Sequence, residues 1–366
     1  MLTHALLFLL GLAALVAGAE ALVRGASKIA LSLGISPLVV GLTIVALGTS
    51  APEVAVSVGA VLSGKPDIAI GNVVGSNILN VLLVLGVSAV IAPLVVHSQL
   101  IRQEVPIMIG ATLLLVLMLV DGRLGPVDGA LLFVLLIAYV TFLVRQSRAE
   151  TAETRKSYED VVERSGGWDA HWAVQALLIV VGLVLLVLGS NWLVDAAVAF
   201  ARALGVSDLV IGLTVIAVGT SMPEIAASIM AAVRGERDIA VGNVIGSNIF
   251  NILGCLGLAG LVSGEGLTVA PAVLNFDLWV MVAVAAASLP VFVAGREIGR
   301  GKGILFLAYY AAYVAYLILG AQDHDALDEY SAIMIGFVLP LTIVTLVAML
   351  IREQKQRDAE DERVEP

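Results

Sequence analysis

Charged side chains are scarce in this sequence: Asp, Glu, Lys and Arg make up only 14% of its 366 residues, against about 25% in a typical soluble domain. A water-facing surface cannot be built from so few. Cysteine is nearly absent. Cys255 is alone, so no intrachain disulfide framework exists. The four histidines, His4, His97, His171 and His324, lie scattered near the ends of apolar stretches. None has the spacing of a metal ligand set, and they read as ordinary interfacial polar residues. What is abundant is apolar mass, 60% of the chain, together with 36 glycines. Disorder and collagen-like fibres are excluded. An integral membrane protein remains, since membrane helices tolerate glycine where backbones approach closely. The formal charge of −10 carries little information about a partner, and no nucleic-acid partner is expected.

A helix needs about 20 apolar residues to cross the hydrocarbon core. Eleven stretches qualify: 3–23, 37–63, 68–94, 103–120, 126–144, 172–194, 208–233, 239–263, 275–294, 304–320 and 330–351. The first lacks a basic leader and has a counterpart later in the chain, so it reads as a span and not as a removed signal peptide. With the N-terminus outside, 17 Lys and Arg fall on inside segments and only Lys65, Arg123 and Arg202 on outside ones. That bias orients the chain, placing the C-terminus in the cytoplasm of what is expected to be a bacterial inner membrane. Residues 145–171 read as a charged cytoplasmic linker and 352–366 as a charged, disordered tail. Trp168 and Trp172 flank the sixth span as interfacial anchors.

The chain also repeats itself. Residues 41–86 and 212–257 align without a gap at an offset of 171, with 27 of 46 positions identical. The expected organisation is therefore a first five-helix unit over 1–144, the linker, a second unit over 172–320, one added helix with an acidic outside loop over 321–351, and the tail. Five is odd, so the second unit enters the membrane inverted. Inverted repeats characterise secondary transporters, whose sites lie near the midplane where the repeats meet. Unequal conformations in the two copies, once exchanged, would turn an outward-open carrier into an inward-open one.

Each copy carries Gly-Thr-Ser-x-Pro-Glu within an apolar span: Gly48, Thr49, Ser50, Pro52 and Glu53, then Gly219, Thr220, Ser221, Pro223 and Glu224. A carboxylate at that depth costs at least about 2.5–3.5 kcal/mol, and neither span holds a Lys or Arg to pair with it. Pro52 and Pro223 lack an N–H, which frees the carbonyls of Gly48 and Gly219. Helix packing and a kink would explain the small residues and prolines, but not the two glutamates. Hydroxyl, carbonyl and carboxylate at one broken turn make an oxygen-rich cation site. The next span of each copy carries Gly-Asn-Val-x-Gly-Ser-Asn-Ile-x-Asn, placing Asn72, Ser76 and Asn80, and likewise Asn243, Ser247 and Asn251, on one helix face. Ser76, Asn80, Ser247 and Asn251 read as ligands. Asn72, Asn77, Asn243 and Asn248 serve equally well as helix-to-helix glue. Two carboxylates neutralise one Ca²⁺ or two Na⁺, and Ca²⁺ accepts many oxygens at flexible geometry.

The doubled motifs resemble the repeats of the Ca²⁺/cation antiporter superfamily, its Na⁺/Ca²⁺ exchanger branch in particular. The resemblance implies a helical membrane fold of inverted five-helix units and exchange of Ca²⁺ for Na⁺ by alternating access, with no organic cofactor. It implies that Glu53 and Glu224 ligate both ions, that Thr49, Ser50, Thr220 and Ser221 supply hydroxyl or carbonyl oxygens, and that Ala46 and Ala217 supply carbonyls. It further implies that Ser76 and Ser247 complete flanking Na⁺ sites and that Asn80 lines the centre. Some relatives carry Asp at one central amide position, whereas Asn80 and Asn251 are both amides here, which weighs against K⁺ cotransport. The helix at 330–351 is an addition to the usual ten. A single chain suffices for transport. Ca²⁺/H⁺ exchange is the nearest alternative and a cation channel a more distant one. An intramembrane hydrolase is disfavoured, because neither Ser50 nor Ser221 has a His or Lys nearby in sequence to act as base.

Overall fold

The computed structural model describes residues 2–162, 171–322, 324–349 and 351. The expected tail at 352–366, Trp168 and the end of the expected linker lie outside these residues. Among those described, nine helices are long and apolar enough to cross a membrane, and two bent pairs bring the total to eleven if each pair is one span. In chain order they are α1 (Leu2–Leu33), the bent pair α2 (Pro37–Thr49) and α3 (Ala51–Leu62), α4 (Pro66–Ile91) and α5 (Leu100–Met118). Helix α6 crosses over Pro126–Ser147 and continues as helix to Val162, into the segment expected to be linker. The second unit comprises α7 (Trp172–Ala203), the bent pair α8 (Thr214–Thr220) and α9 (Met222–Val233), α10 (Arg237–Val262), α11 (Val273–Arg296) and α12 (Arg300–Ala321), followed by the added helix α13 (Ala326–Met349).

The two units interlock. Helices α1 and α7 are each 32 residues long, well beyond the apolar stretches that mark them in sequence. They run together with glycine at the contacts. A Cβ on Gly11 would lie 2.8 Å from the Gly189 carbonyl oxygen, and one on Gly18 would lie 2.8 Å from that of Gly182. Backbone contact this close explains why the glycines recur at Gly11, Gly18, Gly182 and Gly189. Two short antiparallel ribbons cross between the units: β1 (Leu94–Val95) pairs with β4 (Glu297–Ile298), and β2 (Arg123–Leu124) pairs with β3 (Leu267–Thr268). Helix α6 packs on the end of α10, where Gly257 admits the Phe133 backbone. Its counterpart α12 packs on the end of α4, where Gly86 meets Leu307. Helix α13 lies against α12, with Tyr330 donating to the Ala312 carbonyl at 2.8 Å and Tyr309 bonded to Thr342.

The copies are not equivalent in shape. The bend between α2 and α3 is 41°, that between α8 and α9 is 61°. Helix α9 packs against both α1 and α7, whereas α3 makes no comparable packing against either. The burial follows: Ala227 on α9 is 1% exposed, while its mirror position Val56 on α3 is 39% exposed. The first half of each bent span repeats the pattern. Gly242 and Gly246 of α10 sit against the Leu38 and Leu42 carbonyls of α2, at 2.9 and 2.6 Å from an added Cβ, whereas their mirror glycines on α4, Gly71 and Gly75, have nothing within 4 Å. One half of the body is closed and the other splayed.

Candidate functional site

The break in each bent span falls on the motif serine. Ser50 (φ −79°, ψ 3°) and Ser221 (φ −91°, ψ 10°) leave helical geometry, and the following Pro52 and Pro223 sit in the first turn of the next helix, where a missing N–H costs nothing. Glu53 and Glu224 therefore stand in the first turns of α3 and α9. There the unpaired N–H groups and the helix dipole favour a carboxylate. Both side chains are fully buried.

The carboxylates are held crosswise. The Ser221 hydroxyl donates to Glu53 Oε1 at 2.9 Å, and the Ser50 hydroxyl donates to Glu224 Oε1 at 3.2 Å. Each repeat thus binds the acid of the other. Ser221 also lies 3.3 Å from Ser76 Oγ. The second oxygen of each acid, Glu53 Oε2 and Glu224 Oε2, is buried with no hydrogen-bond partner in the protein, as are Asn80 Oδ1, Thr220 Oγ1 and Ser247 Oγ. Buried oxygens are almost always satisfied. Five of those lacking partners stand on the duplicated motifs, a set of oxygens that could hold a cation. Among the described residues no group of three or more His, Cys, Asp and Glu could hold a metal ion. The donor set is two carboxylates and neutral oxygens, which suits a hard cation and not a soft one.

The amides divide by role. Asn72 donates to Ser57 at 3.1 Å and to the Glu53 carbonyl at 3.4 Å. Asn243 does the same with Ser228 at 3.0 Å and the Glu224 carbonyl at 3.5 Å. These two are braces. Asn77 and Asn248 donate to each other's backbone carbonyls at 3.3 and 3.4 Å, joining α4 to α10 at their crossing. Asn80 and Asn251 then donate to Asn248 Oδ1 and Asn77 Oδ1, each at 3.1 Å. Each bond uses one amide hydrogen and so orients the Asn80 oxygen; the Asn251 oxygen accepts from Cys255. A π-helical turn starts at Asn80 and another at Asn251, a local widening common at functional sites.

Not every expected oxygen joins the set. The Gly219 carbonyl freed by Pro223 accepts from Ser190 of α7 at 2.6 Å, and the position mirroring Ser190 is Ala19, which has no hydroxyl. Thr49 is fully buried and donates to Asn243 Oδ1 at 3.1 Å, whereas Thr220 is unpartnered. Ala46 is fully buried, but Ala217 is exposed. These differences follow the splayed and closed halves.

A family model described as sodium/calcium exchanger protein matches residues 3–145 and 174–319. The chain belongs to the sodium/calcium exchanger family. Its members are transporters, not enzymes. The chain is 40% identical to the putative antiporter CaxA of Alkalimonas amylolytica over 88% of this chain and 100% of that protein. It is 36% identical to the sodium/calcium exchanger MaX1 of Methanosarcina acetivorans over 85% of this chain and 97% of that protein. Among solved structures it is similar to the sodium-calcium exchanger NCX_Mj in crystals soaked without Na⁺ and Ca²⁺, with a TM-score of 0.74 at 34% identity over 86% of this chain and 99% of that one. The family matches stop short of α13.

A second duplicated polar pair lies at the rim of the exchanger body. Glu104 of α5 is fully buried and accepts from Tyr139 of α6 at 2.8 Å, Gln99 at 3.0 Å and Gln103 at 2.7 Å. Asp277 of α11 accepts from Tyr313 of α12 at 2.8 Å. Each acid ends a π-helical turn that opens its span. Sequence reasoning misses the pair because the mirror offset drifts here from 171 to 173 for the acids and 174 for the tyrosines. Removing one donor from a buried acid costs about 1–3 kcal/mol. Tyr139→Phe is expected to lower thermal stability in detergent by that amount. Tyr313→Phe is expected to cost less, since Asp277 is only half-buried; equal losses would argue against burial as the cause.

Proposed function

We propose that the protein exchanges Ca²⁺ for Na⁺ across the membrane by alternating access, with the cation held between the two broken spans. The observation that carries this reading is the crosswise pair of acids, each with one oxygen fixed by the opposite repeat's serine and the other unpartnered. Glu53 and Glu224 bind Ca²⁺ as a neutral unit or two Na⁺ in its place, so the ions compete for the same charge. Thr49, Ser50, Thr220, Ser221, Ser76, Ser247, Asn80 and Asn251 contribute neutral oxygens, with the Ala46 and Ala217 carbonyls at the ends of the broken helices. The division into units 1–144 and 172–320, joined by 145–171 and extended by 321–351 and the tail 352–366, belongs to this reading. So does the orientation with the N-terminus outside and the C-terminus cytoplasmic.

Unequal repeats support the mechanism. With that orientation α3 and α8 lie in the outer half, where the body is splayed, and α9 and α2 lie in the inner half, where it is closed. The body is thus splayed toward the outside, while the site itself is occluded, both acids being fully buried. Exchanging the two conformations docks α3 on the α1–α7 pair and releases α9, which opens the inside. A third Na⁺ per Ca²⁺ would carry net charge, making the exchange electrogenic.

Purified protein in Na⁺-loaded vesicles is expected to take up Ca²⁺ when external Na⁺ is absent, and to stop when Na⁺ is equal on both sides. Uptake that ignores the Na⁺ gradient and follows a pH gradient would instead establish Ca²⁺/H⁺ exchange. Flux that needs no counter-ion gradient would favour a channel.

A further inference from the structure

The duplication predicts that every contact at one membrane face has a mirror at the other. One set of contacts breaks that rule. Arg234, in the turn between α9 and α10, pairs with Glu20 of α1 through two nitrogens, its Nε lying 2.8 Å from Glu20 Oε2. Beside it the Ser27 hydroxyl of α1 donates to Glu236 Oε1 at 2.5 Å. Both bonds join α1 to the end of the span that is docked here, on the closed side. The mirror positions, offset by 171, are Asn191 for Glu20, Ser63 for Arg234, Val198 for Ser27 and Lys65 for Glu236. Asparagine with serine and valine with lysine can form neither an ion pair nor a carboxylate hydrogen bond.

We infer that Glu20, Arg234, Ser27 and Glu236 are positioning residues that latch α1 onto the α9–α10 turn and bias the carrier toward the state closed on that face. The inference rests on the alternating-access reading. When the repeats exchange conformations, α9 leaves α1 and these bonds break, while α3 docks on the α1–α7 pair. The docking of α3 brings Asn191 and Ser63 into the relation that Glu20 and Arg234 have now, and no ion pair forms between those two. The two end states of a symmetric carrier would be equal in energy; this latch makes them unequal. An exposed ion pair contributes little. This one is two-pronged, and a second, charge-assisted bond at a half-buried site stands next to it, worth more than a neutral one. Together they are expected to shift the ratio of the two states by about fivefold. The consequence for transport is directional: the apparent affinities at the two faces differ although the ion-binding motifs are duplicated.

The test reads conformation directly. Spin labels on Ser63→Cys and Asn191→Cys, both exposed, report the approach of α3 to α7 in full-length protein. The unlabelled parent is a suitable blank, because its single cysteine, Cys255, is buried. In the parent the long distance is expected to dominate. Glu20→Gln, Arg234→Gln and, more weakly, Ser27→Ala are each expected to raise the short-distance population, by about fivefold for the charge variants. The swap Glu20→Arg with Arg234→Glu is expected to restore the parental distribution. Distances unmoved by all three single changes would overturn the latch. Should the charge variants fail to fold, Ser27→Ala decides alone, since it removes only a hydroxyl. Absence of Na⁺-driven Ca²⁺ uptake by the parent would instead overturn the proposed function and leave these distances standing.

Discussion

Glu53→Gln and Glu224→Gln are each expected to reduce Na⁺-dependent Ca²⁺ uptake about 100-fold or more. Glutamine keeps the shape and the serine hydrogen bond but removes one of two charges facing a divalent cation. Taking one partner from a buried charge interaction costs roughly 3–5 kcal/mol, and each 1.4 kcal/mol is about tenfold in affinity. The variants should still fold. The two acids stand in one buried cluster with no Lys or Arg among the motif residues, so removing one charge relieves repulsion when no cation is bound. Thermal unfolding checks this. The parent is expected to gain stability on adding Ca²⁺, as any ligand of the native state requires, and both variants are expected to lose that gain while unfolding no earlier than the parent in its absence. Full transport by either variant would remove the carboxylate pair from the site.

A second large effect is expected at the α1–α7 seam. A Cβ on Gly182 would stand 2.6 Å from the backbone nitrogen of Leu22 and 2.8 Å from the Gly18 carbonyl oxygen. Backbone cannot rotate away as a side chain can, so the helices must separate along their length. Overpacking of this kind costs about 1–3 kcal/mol for the first carbon, more than the roughly 1 kcal/mol that alanine returns through helix propensity. Gly182→Ala is expected to lower thermal stability, and Gly182→Leu to prevent recovery of folded protein from the membrane. Gly110 of α5 is the control. An added Cβ there meets nothing within 4 Å, so Gly110→Ala should be neutral or stabilising. Equal effects at the two positions would show that helix propensity, and not the close approach, decides the outcome.

The apolar stretches mark the spans well because the bilayer imposes one length on all of them. They fall short at α1 and α7, where helix continues past the hydrocarbon. The pattern of apolar residues ends near Leu22 while the helix runs to Leu33, held by the neighbouring helix and not by lipid. The duplicated acids and the broken turns are readable because proline and a membrane carboxylate each carry a definite physical cost. The freed Gly219 carbonyl was not readable as spent: its donor, Ser190, lies 29 residues away on another helix. Nor do Ser57 and Ser228 announce themselves as braces, although both fall in the aligned block, since a serine gives no sign of its partner. The unequal poses of the repeats have no signature in the duplicated motifs themselves. Nearly identical motifs adopt different bends, so conformation is a property of the whole body and not of either copy.

The crosswise serine–glutamate bonds have a consequence in terms of descent. Each half supplies the acid that the other half's serine must hold, and the ribbons β1–β4 and β2–β3 likewise join strands from opposite halves. A lone five-helix unit therefore owns half of two sites and all of none. It could have worked only as two copies inserted in opposite directions, which requires a chain with little preference between the two insertions. Joining the two halves in one chain removes that requirement. An asymmetry such as Ser190 opposite Ala19 requires that the two halves be encoded by different sequences.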